Sequence, residues 1–147
     1  MRVSTRVEYG LIALMDIALH SENGSCVATW EIARRQNISK KYLEQILPQL
    51  RTGGFIKAQK GIRGGYTLAC SPGYVTLADI LNALDISVLE EMEIPDSSGG
   101  TLDSIINICL WGKINSSLKK FAEGITLAEF AGQCRSMLSE DWDMYMI

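Results

Sequence analysis

Ile38-Ser39-Lys40-Lys41-Tyr42-Leu43-Glu44-Gln45-Ile46-Leu47-Pro48-Gln49-Leu50-Arg51-Thr52-Gly53-Gly54-Phe55-Ile56-Lys57-Ala58-Gln59-Lys60-Gly61-Ile62-Arg63-Gly64-Gly65-Tyr66 is the stretch that decides the architecture. Leu43, Ile46, Leu47 and Leu50 recur at helical spacing, and Ser39 ahead of them is a good N-cap, so a helix is expected from Lys40. Pro48 lies inside that pattern, where it removes a backbone donor and is expected to bend the helix beyond its first turns. Gly53-Gly54 ends the helix. Phe55 to Gln59 and Tyr66 to Ala69 then read as two strands joined by a glycine-rich tip, Lys60 to Gly65.

The charges of this stretch suggest its chemistry. Lys40 and Lys41 fall in the first helical turn and Arg63 falls at the hairpin tip. A helix fits the major groove of duplex DNA and presents its first-turn side chains to base edges. A narrow hairpin carrying a cation can lie against phosphates or enter the minor groove. A basic helix start followed by a basic, glycine-tipped hairpin is what a winged helix-turn-helix needs to hold DNA.

The same residues, with others around them, resemble the Rrf2-type transcriptional regulators. Met1-Arg2-Val3-Ser4-Thr5, Tyr9-Gly10-Leu11, Glu31-Ile32-Ala33, Ile38 to Gln45, Leu50-Arg51 with Gly53 or Gly54, and Gly64-Gly65-Tyr66 fall in that family's order and spacing. The match is dense over the first half of the chain and looser afterwards. It implies a mainly α fold: a winged helix-turn-helix with a two-stranded wing, and a long C-terminal helix that crosses its twin in a homodimer. The DNA contacts implied are Arg2, Ser39, Lys40, Lys41, Tyr42, Gln45, Arg63 and the backbone of Gly64 and Gly65. Glu8 departs from the pattern, because the family usually has a basic residue there and a carboxylate facing DNA would repel phosphate.

Bulk properties agree with one DNA-binding domain plus a dimerising appendage. A chain of 147 residues, 47% hydrophobic, can bury roughly two thirds of its unfolded surface. The net charge of -3 hides an asymmetry: residues 1 to 80 hold ten Lys or Arg against six Asp or Glu, and residues 81 to 147 hold four against eleven. The first part is therefore +4 and the second -7, which puts a nucleic-acid surface in the first part. Asp16 interrupts the apolar run Tyr9 to Leu19, so a secretory signal is not expected. Nor does any stretch approach a membrane span. A cytoplasmic protein with reduced cysteines is the expectation.

Along the rest of the chain, Val7, Leu11, Leu14, Met15 and Ala18 mark a first helix, and a second centres on Glu31-Ile32-Ala33-Arg34-Arg35, with Thr29 as its expected cap because Ala28 lacks a hydroxyl. Thr76-Leu77-Ala78-Asp79 opens another helix. Leu102, Ile105, Ile106, Cys109, Leu110, Lys113, Leu118 and Phe121 mark a long amphipathic helix with a weak point at Gly112. Thr126-Leu127-Ala128-Glu129 is a capping box for the last helix, with Phe130 and Leu138 on its apolar side. The expected divisions are residues 1–84 for DNA binding, 85–100 as connector, 101–138 for dimerisation and 139–147 as tail.

Many Rrf2-type regulators hold an iron-sulfur cluster through three closely spaced cysteines in the connector and the start of the long helix, since cluster iron needs several converging thiolates. Here the stretch from Asp85 to Ile108 has no cysteine, and the positions matching the family's last cysteine and its histidine, counted from Trp111, are Ile105 and Ile108. No cofactor and no metal are expected. Cys26, in the polar loop before the second helix, is the candidate redox thiol, because the positive end of a helix dipole favours reactivity there. One histidine, no nucleophile motif and no phosphate loop argue against an enzyme.

The chain closes Trp142-Asp143-Met144-Tyr145-Met146-Ile147. This resembles the tail of the cluster-free cysteine-metabolism repressors, whose partner is O-acetylserine sulfhydrylase, an enzyme whose active site accepts peptides ending in isoleucine. The resemblance implies docking through Tyr145, Met146 and Ile147; the alternative is that Trp142, Tyr145 and Ile147 pack onto the protein's own dimer. Two further readings are a cluster-dependent sensor and a protein-binding adaptor with weak DNA binding.

Overall fold

The computed structural model describes residues 3–90 and 100–145, with side chains as far as Ser139. Arg2, Met146, Ile147 and the connector residues 91–99 lie outside the described residues. Helix α1 (Thr5–His20) starts at Ser4, whose hydroxyl accepts from the Val7 N–H at 3.4 Å. It buries Val7, Leu14, Met15, Ile17 and Ala18, and packs on α2 (Thr29–Gln36) and α3 (Lys40–Thr52). Leu43, Ile46, Leu47 and Leu50 of α3 are buried, as their spacing requires. Pro48 sits within an uninterrupted α3.

The start of α2 differs from expectation. Ala28 occupies the cap position, Thr29 is already helical, and the Glu31 carboxylate accepts from the Ala28 N–H at 3.0 Å. Only this reverse half of a capping box is present, since alanine has no oxygen to offer the other half. Asn37, in the left-handed conformation at φ +53°, turns the chain from α2 into α3, and the Ile38 N–H donates to Ala33 O at 3.2 Å.

After α3, Gly54 at φ +82° leads into the wing. Strands β1 (Ile56–Gln59) and β2 (Gly65–Leu68) are antiparallel, with Ile56 opposite Leu68 and Gln59 opposite Gly65. A third segment joins them: Val27 and Tyr66 exchange two backbone hydrogen bonds of 2.9 and 2.8 Å, tying the wing to the approach of α2.

Helix α4 (Leu77–Leu84) begins with the expected reciprocal cap between Thr76 and Asp79, at 2.9 and 3.2 Å. Its start lies beside that of α7 (Leu127–Tyr145): Leu77 N–H donates to Ile125 O at 3.0 Å and Leu127 N–H to Val75 O at 2.7 Å. Between them runs the long helix, read in the sequence as one element weakened at Gly112. It comprises α5 (Leu102–Ile106), a π-helical turn (Asn107–Trp111) and α6 (Gly112–Glu123) in direct succession. The irregularity thus lies in the turn before Gly112, whose N–H reaches back to Asn107 O, and an added Cβ there would come within 3.0 Å of that oxygen.

The expected cap of α7 is present, with Glu129 N–H donating to Thr126 Oγ1 at 3.1 Å and Thr126 N–H to Glu129 at 3.3 Å. One expectation for this helix is revised: it continues past Leu138, where a tail was expected, and carries the backbone to Tyr145. Leu138 shares the apolar side of α7 with Phe130, as expected, but is exposed there, and both line an open groove of about 360 Å³ with Leu11, Ile12 and Met15 of α1. α7 leans on α1 mainly through its earlier turns, where Phe130 is half-buried and Ala131 buried.

Candidate nucleic-acid interface

The first turns of α3 leave their polar side chains in solvent. Lys40, Lys41, Glu44 and Gln45 are exposed, and Lys41 and Gln45, four residues apart, share a face opposite the buried Leu43 and Leu47. Two of the expected contact residues already have structural duties. Ser39 caps α3 by accepting from the Tyr42 N–H at 3.1 Å. Tyr42 is half-buried, its ring meeting Tyr9 of α1 edge to face with centroids 5.4 Å apart. This aromatic pair holds the start of α3 against α1, a contact that helical spacing could not reveal.

The wing tip is a tight β-turn. Gly64 N–H donates to Gly61 O at 3.0 Å, so Ile62 and Arg63 occupy the two corner positions, and both are exposed. Gly64 and Gly65 were expected to offer their backbone to DNA. Their neighbours inside the protein already require them to be glycine. A Cβ on Gly64 would lie 2.3 Å from Gln59 O, and one on Gly65 would lie 2.5 Å from Val27 O. Glycine at these positions is what lets the hairpin close and lie on the Val27 segment.

Behind these exposed groups sits a buried charge that sequence reading passed over. Asp16 of α1 has no exposed side-chain surface and receives Arg35 Nε at 2.9 Å, Arg35 Nη2 at 2.7 Å and Gln36 Nε2 at 2.8 Å from the end of α2. His20 Nδ1 lies 3.7 Å from the same carboxylate and 2.8 Å from the Asp16 carbonyl. Burial alone would push the Asp16 carboxyl up, but hydrogen bonds from Arg35 and Gln36 with the Arg35 and His20 charges outweigh it, and the net displacement is downward. The clamp fixes α2 on α1 next to the turn that launches α3. A lone carboxylate in an apolar helix face was the available signal.

The cysteines sit on separate elements. Cys26 precedes α2 and its thiol donates to Gln59 Oε1 at 2.6 Å, at the end of β1. Cys70 follows β2, and burial pushes its thiol up. Cys109 is exposed in the π-helical turn and Cys134 lies in α7. Among the described residues no three His, Cys, Asp or Glu side chains converge as metal ligands would. Ile105 and Ile108 stand exposed in the long helix, offering hydrocarbon where the family's cluster ligands would be. The donor set among the described residues does not fit an iron-sulfur cluster. No helix among the described residues is long and apolar enough to cross a membrane.

Comparison with known proteins gives a consistent answer. The sequence profile of the Rrf2 family, described as an iron-dependent transcriptional regulator, matches residues 3–133. The HTH-type transcriptional regulator IscR of Cronobacter sakazakii is 34% identical over 131 residues, covering 88% of this chain and 79% of the relative. Among solved structures, CymR, described as the global cysteine regulator of B. subtilis, superposes with a TM-score of 0.77 at 27% identity, covering 90% of this chain and 98% of that one. T. potens IscR superposes with a TM-score of 0.71 at 29% identity, covering 91% and 88%. With the winged fold and its basic helix start in place, the chain belongs to the Rrf2 family of DNA-binding transcriptional regulators.

Proposed function

We propose that the protein is a homodimeric, sequence-specific repressor that works without an iron-sulfur cluster. The observation that carries this reading is the joint exposure of Lys40, Lys41 and Gln45 at the start of α3 and of Arg63 at the wing apex. In it, α3 enters the major groove, Arg63 reaches the adjacent minor groove, and Gly64, Gly65 and the Ser39 turn come close to the backbone; Arg2 joins them from the N-terminus.

Support for the dimer comes from the long helix. Ile105, Ile108, Leu110, Trp111, Ile114 and Phe121 are each at least 43% exposed, a continuous apolar load that a monomer would leave in water. A second copy crossing there would pair two α3 helices for an operator with matching symmetry. Control of cysteine or sulfur metabolism is suggested by the likeness to CymR. Docking of Tyr145, Met146 and Ile147 into O-acetylserine sulfhydrylase extends that suggestion. Since α7 runs to Tyr145, an extended peptide would need the last helical turn to unwind.

Selection of duplexes from a random pool by the purified protein, followed by sedimentation of the complex, tests the reading. Enrichment of a palindromic site bound by two copies is expected; a monomer with no enriched sequence would instead favour a protein-binding adaptor. A second reading, a peroxide switch, draws on the Cys26 to Gln59 contact. Oxidation of the thiol by hydrogen peroxide to sulfenic acid, with release of water, replaces the S–H that donates to Gln59 by a longer S–O–H for which the 2.6 Å contact has no room, pushing the wing away from the α2 approach. Peroxide-insensitive binding by Cys26→Ser, against loss in the parent, is its expected signature.

A further inference from the structure

Ile62 is more exposed than any other large apolar residue described, with a relative accessibility of 107%, and it stands at the apex of the wing. Solitary exposed hydrophobics are common on proteins, so its surroundings must decide the matter. It occupies a corner of the Gly61–Gly64 turn, where small or polar residues are favoured and a β-branched one gains nothing. With full exposure it touches no apolar neighbour that would reward it. On each side stands a cation, Lys60 and Arg63, both exposed.

The support behind this apex is stiff. The hairpin is paired over four residue couples, and Gly65 lies so close to Val27 that no Cβ would fit between them. Two hydrogen bonds between Val27 and Tyr66 join the hairpin to the helix-turn-helix. An apolar side chain on a rigid finger, flanked by cations, matches what minor-groove binders use: the cations are drawn by the groove's negative potential while the hydrocarbon presses against the sugar walls or between base steps.

We infer that Ile62 is a minor-groove wedge, a specificity-determining residue that deforms the duplex beside the α3 contacts. The inference rests on the DNA-binding reading of the wing. It favours operators with A·T-rich or flexible pyrimidine-purine steps where the wing lands, because those sequences give way most easily. Arg63 supplies the charge and Ile62 the shape.

The test uses full-length protein and a duplex that the wild type enriches from a random pool. Ile62→Ala is expected to weaken binding about tenfold, the size expected from exposing most of an isoleucine side chain, with no change in salt slope because no phosphate contact is lost. Duplex bending, followed by energy transfer between end-labelled dyes, should fall in the same variant. Ile62→Leu should restore both affinity and bending to near wild type. If Ile62→Ala binds and bends the duplex as the wild type does, while Lys41→Ala binds weakly, the wedge is refuted and the DNA-binding reading stands. If the wild type enriches no duplex at all, both fall together.

Discussion

Replacing Arg35 by methionine tests the buried clamp directly. The Asp16 carboxylate is fully buried and accepts three hydrogen bonds, two of them from Arg35. Removing one partner of a buried ion pair costs about 3–5 kcal/mol. Gln36 remains and the Arg35 side chain is 31% exposed, so water can partly replace it and the expected loss is nearer 2–3 kcal/mol. For a chain of this length that is roughly 4–12 °C in Tm.

The pH dependence carries the sign. In the wild type the Asp16 carboxyl is held below its ordinary value of 3.8, so its stabilising contribution is present at neutral pH and is lost as pH falls through the lowered value. In Arg35→Met the upward push of burial loses its main opponent. The group then takes up a proton within the fold at higher pH, and the variant's deficit should shrink between pH 7 and about pH 4.5. Urea unfolding at fixed protein concentration, at both pH values, reads this. Asp16→Asn combined with Arg35→Met should be more stable at pH 7 than Arg35→Met alone, because no uncompensated charge is left. A deficit that stays constant with pH, or one under about 0.5 kcal/mol, would refute the clamp as an ionic device.

Lys41→Ala should weaken binding to an enriched duplex and lower the slope of log affinity against log salt by about one, as measured by anisotropy titrations. Gly65→Ala places a Cβ 2.5 Å from Val27 O, a backbone atom that cannot swing aside, so a loss of about 1–3 kcal/mol in thermal unfolding together with weaker DNA binding is expected. Gly24→Ala, whose Cβ meets nothing within 4 Å, should lose only about 1 kcal/mol from its positive φ and leave DNA binding intact. If the apolar face of the long helix pairs two copies as proposed, wild type should sediment as a dimer and Ile108→Lys, which sets a charge into that face, as a monomer. Protein prepared without oxygen should contain far less than one iron per chain and show no visible cluster absorption.

How far the residues announced these features depends on how local each interaction is. The caps at Ser39, Thr76 and Thr126 were legible because each bond closes within three residues. The wing was legible too, from two apolar runs around a glycine cluster. Thr29 was misjudged as a cap although the Glu31 to Ala28 bond also closes within three residues, because a cap is sought by its side-chain oxygen and alanine has none. The glycines at the wing were correctly located, but what makes them necessary is Val27, nearly forty positions upstream, and the carbonyl of Gln59. The end of α7 was set too early, since acidic residues after Ser139 resemble a tail and their helical state depends on continuation of an existing helix.

From the amino-acid order alone came the helix and strand periodicities, the split of charge between the two halves, the lack of closely spaced thiols and the basic residues at the start of one helix. All of these are properties of neighbours along the chain, and propensity, patterning and capping act at that range. Tertiary structure alone decided that Asp16 is a buried anchor for Arg35 and Gln36, that Tyr42 leans on Tyr9, and that Ile62 stands free at the apex of a braced hairpin. Burial and partnership between distant positions follow from how α1, α2, α3 and the wing pack together, and packing is a relation among surfaces that no single stretch contains.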